Sequence, residues 1–279
     1  MSAADDRDRE SEERKVSDRA HNFIQRLYRD PRYLLIGKIE RFGRELIAFV
    51  EGCTMISATG EVRGQALVNS EYEITGRPDG ERPYHHESLV EYYLSTEGKA
   101  GAALGDDDFL LLREESWQYY VRRNFDFLLG DYPQARDDAE HNLAIWNLLE
   151  QSEVSEEARW SYLRWWPWIE RDRAIAEALL SLRHEQPEEA ATELYRAQRA
   201  IAQYGERHAD RYAQEEGDSK ELCDHMRQQI AGLVEVLRED DGLPESMEHR
   251  LDEAIARGDE EEVERLRREM IRRAVGEGE

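Results

Sequence analysis

The chain has 279 residues, a formal charge of −25, a hydrophobic fraction of 39% and two cysteines. That length supports one large or two small domains with a hydrophobic core, and the acidity argues against direct binding to the phosphate backbone of nucleic acid. Cys53 and Cys223 are too few for a disulfide framework, and no apolar run reaches the roughly 18 residues of a membrane span.

Of the 38 lysines and arginines only Lys15, Lys38, Lys99 and Lys220 are lysines. Acid excess with scarce lysine suits a high-salt cytoplasm, where screening relieves self-repulsion; the other reading is an acidic surface made for a basic partner. The opening MSAADDRDRESEERKVSDRA is charged and lacks an apolar segment, so no signal peptide is expected and a cytoplasmic location is. Residues 1–19 read as a disordered acidic tail.

Residues 20–95 read as a small β-containing module. A short helix is expected from Ala20 to Tyr28, ending near Asp30-Pro31. Between Tyr33 and Thr75, the apolar run Leu46–Val50, the stretch Cys53–Ser57, and the β-type residues Ala66–Val68 and Tyr72–Ile74 predict three or four antiparallel strands. Ala58-Thr59-Gly60-Glu61 has the glycine of a hairpin loop, and glycines 43, 52, 60, 64 and 76 punctuate the stretch. Gly76 to Pro83 reads as loop, Glu87 to Tyr93 as a short helix, and Ser95 to Asp108 as a glycine- and aspartate-rich connection.

From Phe109 the pattern is helical, giving a body over 109–240. Helices are expected over about 112–129, 133–151, 155–184, 187–208 and 219–239. Gly130-Asp131-Tyr132-Pro133 ends one helix and starts the next, and Gln186-Pro187 starts another. GDYPQARDDAEHNLAI and EQPEEAATELYRAQRAI align with Ala135 on Ala190 and resemble the second helix of a tetratricopeptide unit. The two alanines lie 55 residues apart against about 34 in that family, so the hairpins would be irregular and long.

Trp160, Tyr162, Trp165, Trp166 and Trp168 crowd one segment around Pro167, which should kink the helix. One reading packs this segment in a core with Trp117 and Trp146. The other leaves Trp168 partly exposed in a groove, as an anchor for a partner. His85-His86-Glu87 suggests a metal, but adjacent side chains point apart and no matching HxxxH or CxxC accompanies them. Asp106-Asp107-Asp108 lacks the alternation of a calcium loop and reads as a solvated loop and helix cap. With no GxSxG, HExxH or phosphate loop, no enzymatic activity, metal or cofactor is expected.

The C-terminal residues 245–275 read as a helical hairpin. Met247, Leu251, Ala254 and Ile255 recur at helical spacing; Gly258-Asp259 interrupts; Val263, Leu266, Met270 and Ala274 resume the stripe. Gly258 suits a left-handed helix end, Asp259 an N-cap, and Glu262 completes a capping box. Two helices this short are marginal alone, so the stripe must be buried on something. Arg265, Arg267, Arg268, Arg272 and Arg273 make the last helix the most basic segment; they either pair with nearby glutamates or, for Arg267, belong to a docking face.

Leu251, Ala254-Ile255, Gly258-Asp259, Glu261 and Leu266-Arg267 resemble the UVR motif, the helical hairpin of bacterial excision nuclease subunits B and C and of some partners of Clp-type ATPases. Glu260, Glu264 and Arg268 stand where that family has an aromatic, an alanine and an aspartate. The chain resembles uncharacterised bacterial proteins with a helical-repeat body before a UVR tail more closely than it resembles those repair subunits. The resemblance implies docking of a protein partner or a second copy through Leu251, Ile255, Val263, Leu266, Arg267 and Met270, with Trp168 as a separate groove candidate. Its alternative implication is an accessory role in nucleotide excision repair through recruitment. The expected class is mainly α: irregular tetratricopeptide-like helical hairpins, a small β-containing module and a UVR-like hairpin.

Overall fold

The computed structural model describes residues 16–56, 62–95 and 104–274 as mainly helical, with one three-stranded antiparallel sheet. Its residues cluster into two compact units. One is Asn22–Ala176; the other joins the described residues up to His21 with the chain from Glu177 onward. The divisions fall inside two helices, α1 (Asp18–Tyr28) and α6 (Trp166–Arg183), so the body expected over 109–240 is not one packing unit.

In the unit Asn22–Ala176, strands β1 (Tyr33–Arg41), β2 (Arg44–Ile56) and β3 (Val62–Glu73) form a meander in that order. The β1–β2 hairpin turns at Phe42-Gly43, with Arg41 paired to Arg44. Both turn residues have positive φ, 53° and 72°, the two-residue geometry that matches strand twist. Glycine takes this freely, whereas Phe42 is strained and almost wholly exposed. The loop expected at Ala58–Glu61 lies outside the described residues; β2 and β3 pair on either side of it.

Alternation along β2 puts Ile47 and Phe49 on the inner face, against Val121 and Phe125 of α3 (Asp106–Leu129). Tyr33 meets Phe125 edge-on at 4.9 Å, and Phe49 meets it at 4.8 Å. Arg122 reaches from α3 to the carbonyl of Glu73 at 2.8 Å, tying the end of β3 to the helix. A short α2 (Leu89–Leu94) follows the loop. Ser88 caps it, and the backbone N–H groups of Leu89 and Val90 donate to the buried carboxylate of Glu115. The three aspartates open α3, where Asp108 accepts from the Gly105 N–H and the Tyr93 hydroxyl.

Helix α4 (Tyr132–Glu150) packs antiparallel-style against α3 through the joint expected from sequence: Gly130 is left-handed at φ 74°, and Asp131 caps the next helix. The long helix expected over 155–184 is instead broken into α5 (Glu156–Leu163) and α6, with Pro167 in the first turn of α6. A proline tolerated at a helix start replaces the expected kink.

In the other unit, α7 (Pro187–Arg207) packs on α9 (Leu222–Asp240), with α8 (Ala209–Tyr212) and a 3-10 turn between them. A Cβ at Gly205 would meet Cys223 at 3.1 Å, so glycine permits this close approach. Ala190 is fully buried, as Ala135 is in its own unit. The start of α1 lies earlier than expected. Ser17 caps it, and the Ser17 N–H and hydroxyl both donate to Asp241, at 2.8 and 2.7 Å. Those bonds order residues assigned from sequence to the tail.

Candidate functional site

The terminal hairpin consists of α10 (Met247–Arg257) and α11 (Glu260–Ala274). Gly258 is left-handed at φ 70° and Asp259 accepts from the Glu262 N–H at 3.1 Å, as the pattern predicts. The reciprocal half of the capping box is not formed. The Asp259 N–H bonds the Ala254 carbonyl, and the Glu262 carboxylate instead binds Arg265 at 2.6 Å and Arg250 at 3.4 Å. Arg265, first among these, holds the Glu262 carboxyl below its ordinary range.

The hairpin core is small. Ala254 and Leu266 are fully buried, while Leu251, Val263 and Met270 are half-buried. Leu266 therefore packs within its own chain, a correction to its expected place on a partner-facing surface. Ile255 and Ile271 stand out, 51% and 62% exposed. Arg267 is exposed, and neither it nor Arg272 forms an ion pair among the described residues, unlike Arg265 and Arg268.

Helix α10 lies on α7 through polar contacts. The Tyr195 hydroxyl donates to Asp252 at 2.6 Å; Arg199 pairs with Asp252 at 2.9 Å, and Arg196 with Glu248 at 2.6 Å. Burial and then the hydrogen bond to Asp252 push the Tyr195 hydroxyl up to about 12. A groove of about 910 Å³ is lined by residues of α7, α9 and α10, among them Tyr195, Arg199, Arg227 and His249. His249 also stands between Glu245 and Glu253, at 3.3 and 3.4 Å. Their ligand atoms lie within 4.8 Å of one another, but the glutamates are exposed and the contacts are those of ion pairs at helical spacing. The earlier metal candidate disperses: Glu87 binds Arg82 at 2.9 Å, and His86 packs on Tyr92.

A second groove lies in the unit Asn22–Ala176. Its volume is about 800 Å³, and its walls come from α3, α4, α5 and the start of α6. Trp117, Tyr120, Tyr162, Trp165, Trp168 and Ile169 supply the aromatic and aliphatic surface, with Arg113, Glu114, Arg123 and Asn142 among the polar residues. Trp168 is half-buried, with its ring edge against Tyr120 at 6.0 Å. Trp146 is buried as the packing reading expects, but Trp117, placed from sequence in the same core, is 50% exposed at the groove rim. Burial pushes the Tyr162 hydroxyl up, opposed by its hydrogen bond with Ser116.

The aromatic segment signalled this groove, but Arg123 and Asn142 carried no signal because each sits alone in a helical pattern. Comparisons with protein-family models, with curated proteins and with solved structures find no match.

Proposed function

We propose that the chain is a non-catalytic adaptor that docks a protein partner through the outer face of its C-terminal hairpin. The supporting observation is the division of the hairpin's apolar residues. Leu266 and Ala254 are consumed internally, while Ile255, Ile271, Arg267 and Arg272 remain exposed. Exposed isoleucines and arginines on one hairpin suit a helix with an apolar stripe and acidic flanks. A second copy of this acidic chain is the competing occupant. The helical pairs α3–α4 and α7–α9 serve, on this reading, as irregular tetratricopeptide-like scaffolding, and the resemblance to UVR hairpins supports the docking role.

Affinity purification from the native host in high salt, comparing wild type with Ile271→Asp and Arg267→Glu, tests the proposal. The expected result is loss of a defined partner in both variants, with the native mass unchanged. Identical partner profiles and identical mass for wild type and both variants overturn it. A mass that halves in the variants identifies the second copy as the occupant.

A further inference from the structure

We propose that the aromatic groove of the unit Asn22–Ala176 is a binding site for a small amphipathic carboxylate: an apolar body of a few carbons or one ring, ending in an acid. This inference is independent of hairpin docking.

The volume of about 800 Å³ falls within the roughly 300–1,000 Å³ of small-molecule sites. Five aromatic side chains with Leu110 and Ile169 make the larger part of the lining, which fixes the apolar body. Polarity fixes the rest. Three buried atoms on lining residues have no hydrogen-bond partner among the described residues: Arg123 Nη1, Trp168 Nε1 and Asn142 Oδ1. Such atoms are costly to leave unsatisfied, and these three lie on residues that line one groove. Arg123 is the strongest of them, because its side chain is only 1% exposed and its Nε is already committed to Asp172 at 2.8 Å. Arg123 Nη1 and Trp168 Nε1 are both donors, so they call for an acceptor. Asn142 decides less, since its amide can turn to present either O or N.

The sign of the ligand's charge follows from the aromatic rings. Arg123 lies over Tyr120 at 5.4 Å, Arg164 over Trp165 at 5.0 Å, Arg171 over Trp168 at 5.1 Å and Arg32 over Trp117 at 5.9 Å. These guanidiniums already use the ring faces that an organic cation would seek. Two arginines, Arg113 and Arg123, line the groove against one glutamate, Glu114. In a chain of net charge −25 this is a locally basic, apolar concavity, complementary to an anion with a hydrophobic body. Because the unsatisfied atoms are closed to solvent, the ligand must displace neighbouring side chains as it enters, and the tryptophans should report that movement.

The test titrates the full chain with 4-phenylbutyrate and with its neutral amide, following tryptophan fluorescence and calorimetry in high salt. Saturable binding of the acid is expected, with the amide weaker by roughly tenfold or more, the scale of one charge-assisted hydrogen bond. Trp168→Phe keeps an aromatic ring, smaller than the indole, but removes the N–H, so the gap between acid and amide should narrow several-fold. Trp117→Ala, at the half-exposed rim, should weaken both ligands alike, and circular dichroism should show both variants folded. Failure of the acid to bind at millimolar concentration, an amide that binds equally well, or an acid–amide gap unchanged in Trp168→Phe each overturn the proposal.

Discussion

The fully buried Asp126 shows how a single carboxyl sets a pH dependence. Neither of its oxygens has a hydrogen-bond partner among the described residues. The neighbouring Asp138 is by contrast held by Arg122 through two bonds, at 2.9 and 2.6 Å. Burial, then the Asp138 charge, raises the Asp126 carboxyl well above the ordinary carboxylate range, and the Arg122 charge opposes this without cancelling it. The folded protein therefore holds a proton that the unfolded chain releases near pH 4, the approximate value for a free aspartate. Stability from this group is fully present below that pH and is lost as pH rises towards the folded value. Asp126→Asn should abolish this dependence, so the variant gains on wild type with rising pH, by up to about 1.4 kcal/mol per pH unit. Denaturant unfolding at a series of pH values measures it, and parallel curves for the two proteins would show that Asp126 stays ionised in the fold.

At the scale of elements, residues that act through their nearest neighbours were the legible ones. Gly130-Asp131 and Gly258-Asp259 each end one helix and cap the next because glycine takes the left-handed position and aspartate the N-cap. The apolar run Leu46–Val50 likewise marked a strand, although only the structure shows that Ile47 and Phe49 face inward. What sequence missed depends on distant partners. Ser17 is ordered by Asp241, Glu115 caps α2 from another helix, and Arg123 and Asn142 come to line one groove only where four helices wall it. The exposure of Ile255 within the hairpin stripe was not legible, whereas spacing already separates Leu266, on the stripe, from Ile271, off it. Their energetics should differ sharply. Leu266→Ala empties a fully buried site and should cost about 2–5 kcal/mol. Ile271→Ala removes a side chain 62% exposed and should cost no more than about 0.5 kcal/mol. Hydrogen exchange across α10 and α11 reads both, and equal loss of protection would mean that Leu266 is not the core of the hairpin.

For the whole molecule, charge outweighs any one contact. A formal charge of −25 repels itself over distances comparable with the screening length, about 10 Å at 0.1 M salt and about 3 Å at 1 M. The ion pairs that salt would also weaken are mostly at the surface. Arg19–Glu239, Arg41–Glu71, Arg196–Glu248 and Arg265–Glu262 each have a guanidinium more than half exposed, and such pairs contribute about 0–1 kcal/mol apiece. The buried pairs Arg122–Asp138 and Arg123–Asp172 lie beyond the reach of mobile ions. Screening therefore removes a long-range repulsion while leaving the strongest attractions in place, so added sodium chloride should raise the melting temperature steadily between 0.1 M and 1 M. Sodium chloride is the informative salt because sulfate would also strengthen apolar burial. A melting temperature that is flat or falls over this range would show that the surface pairs outweigh the repulsion, and that the acidic surface was shaped by something other than screening.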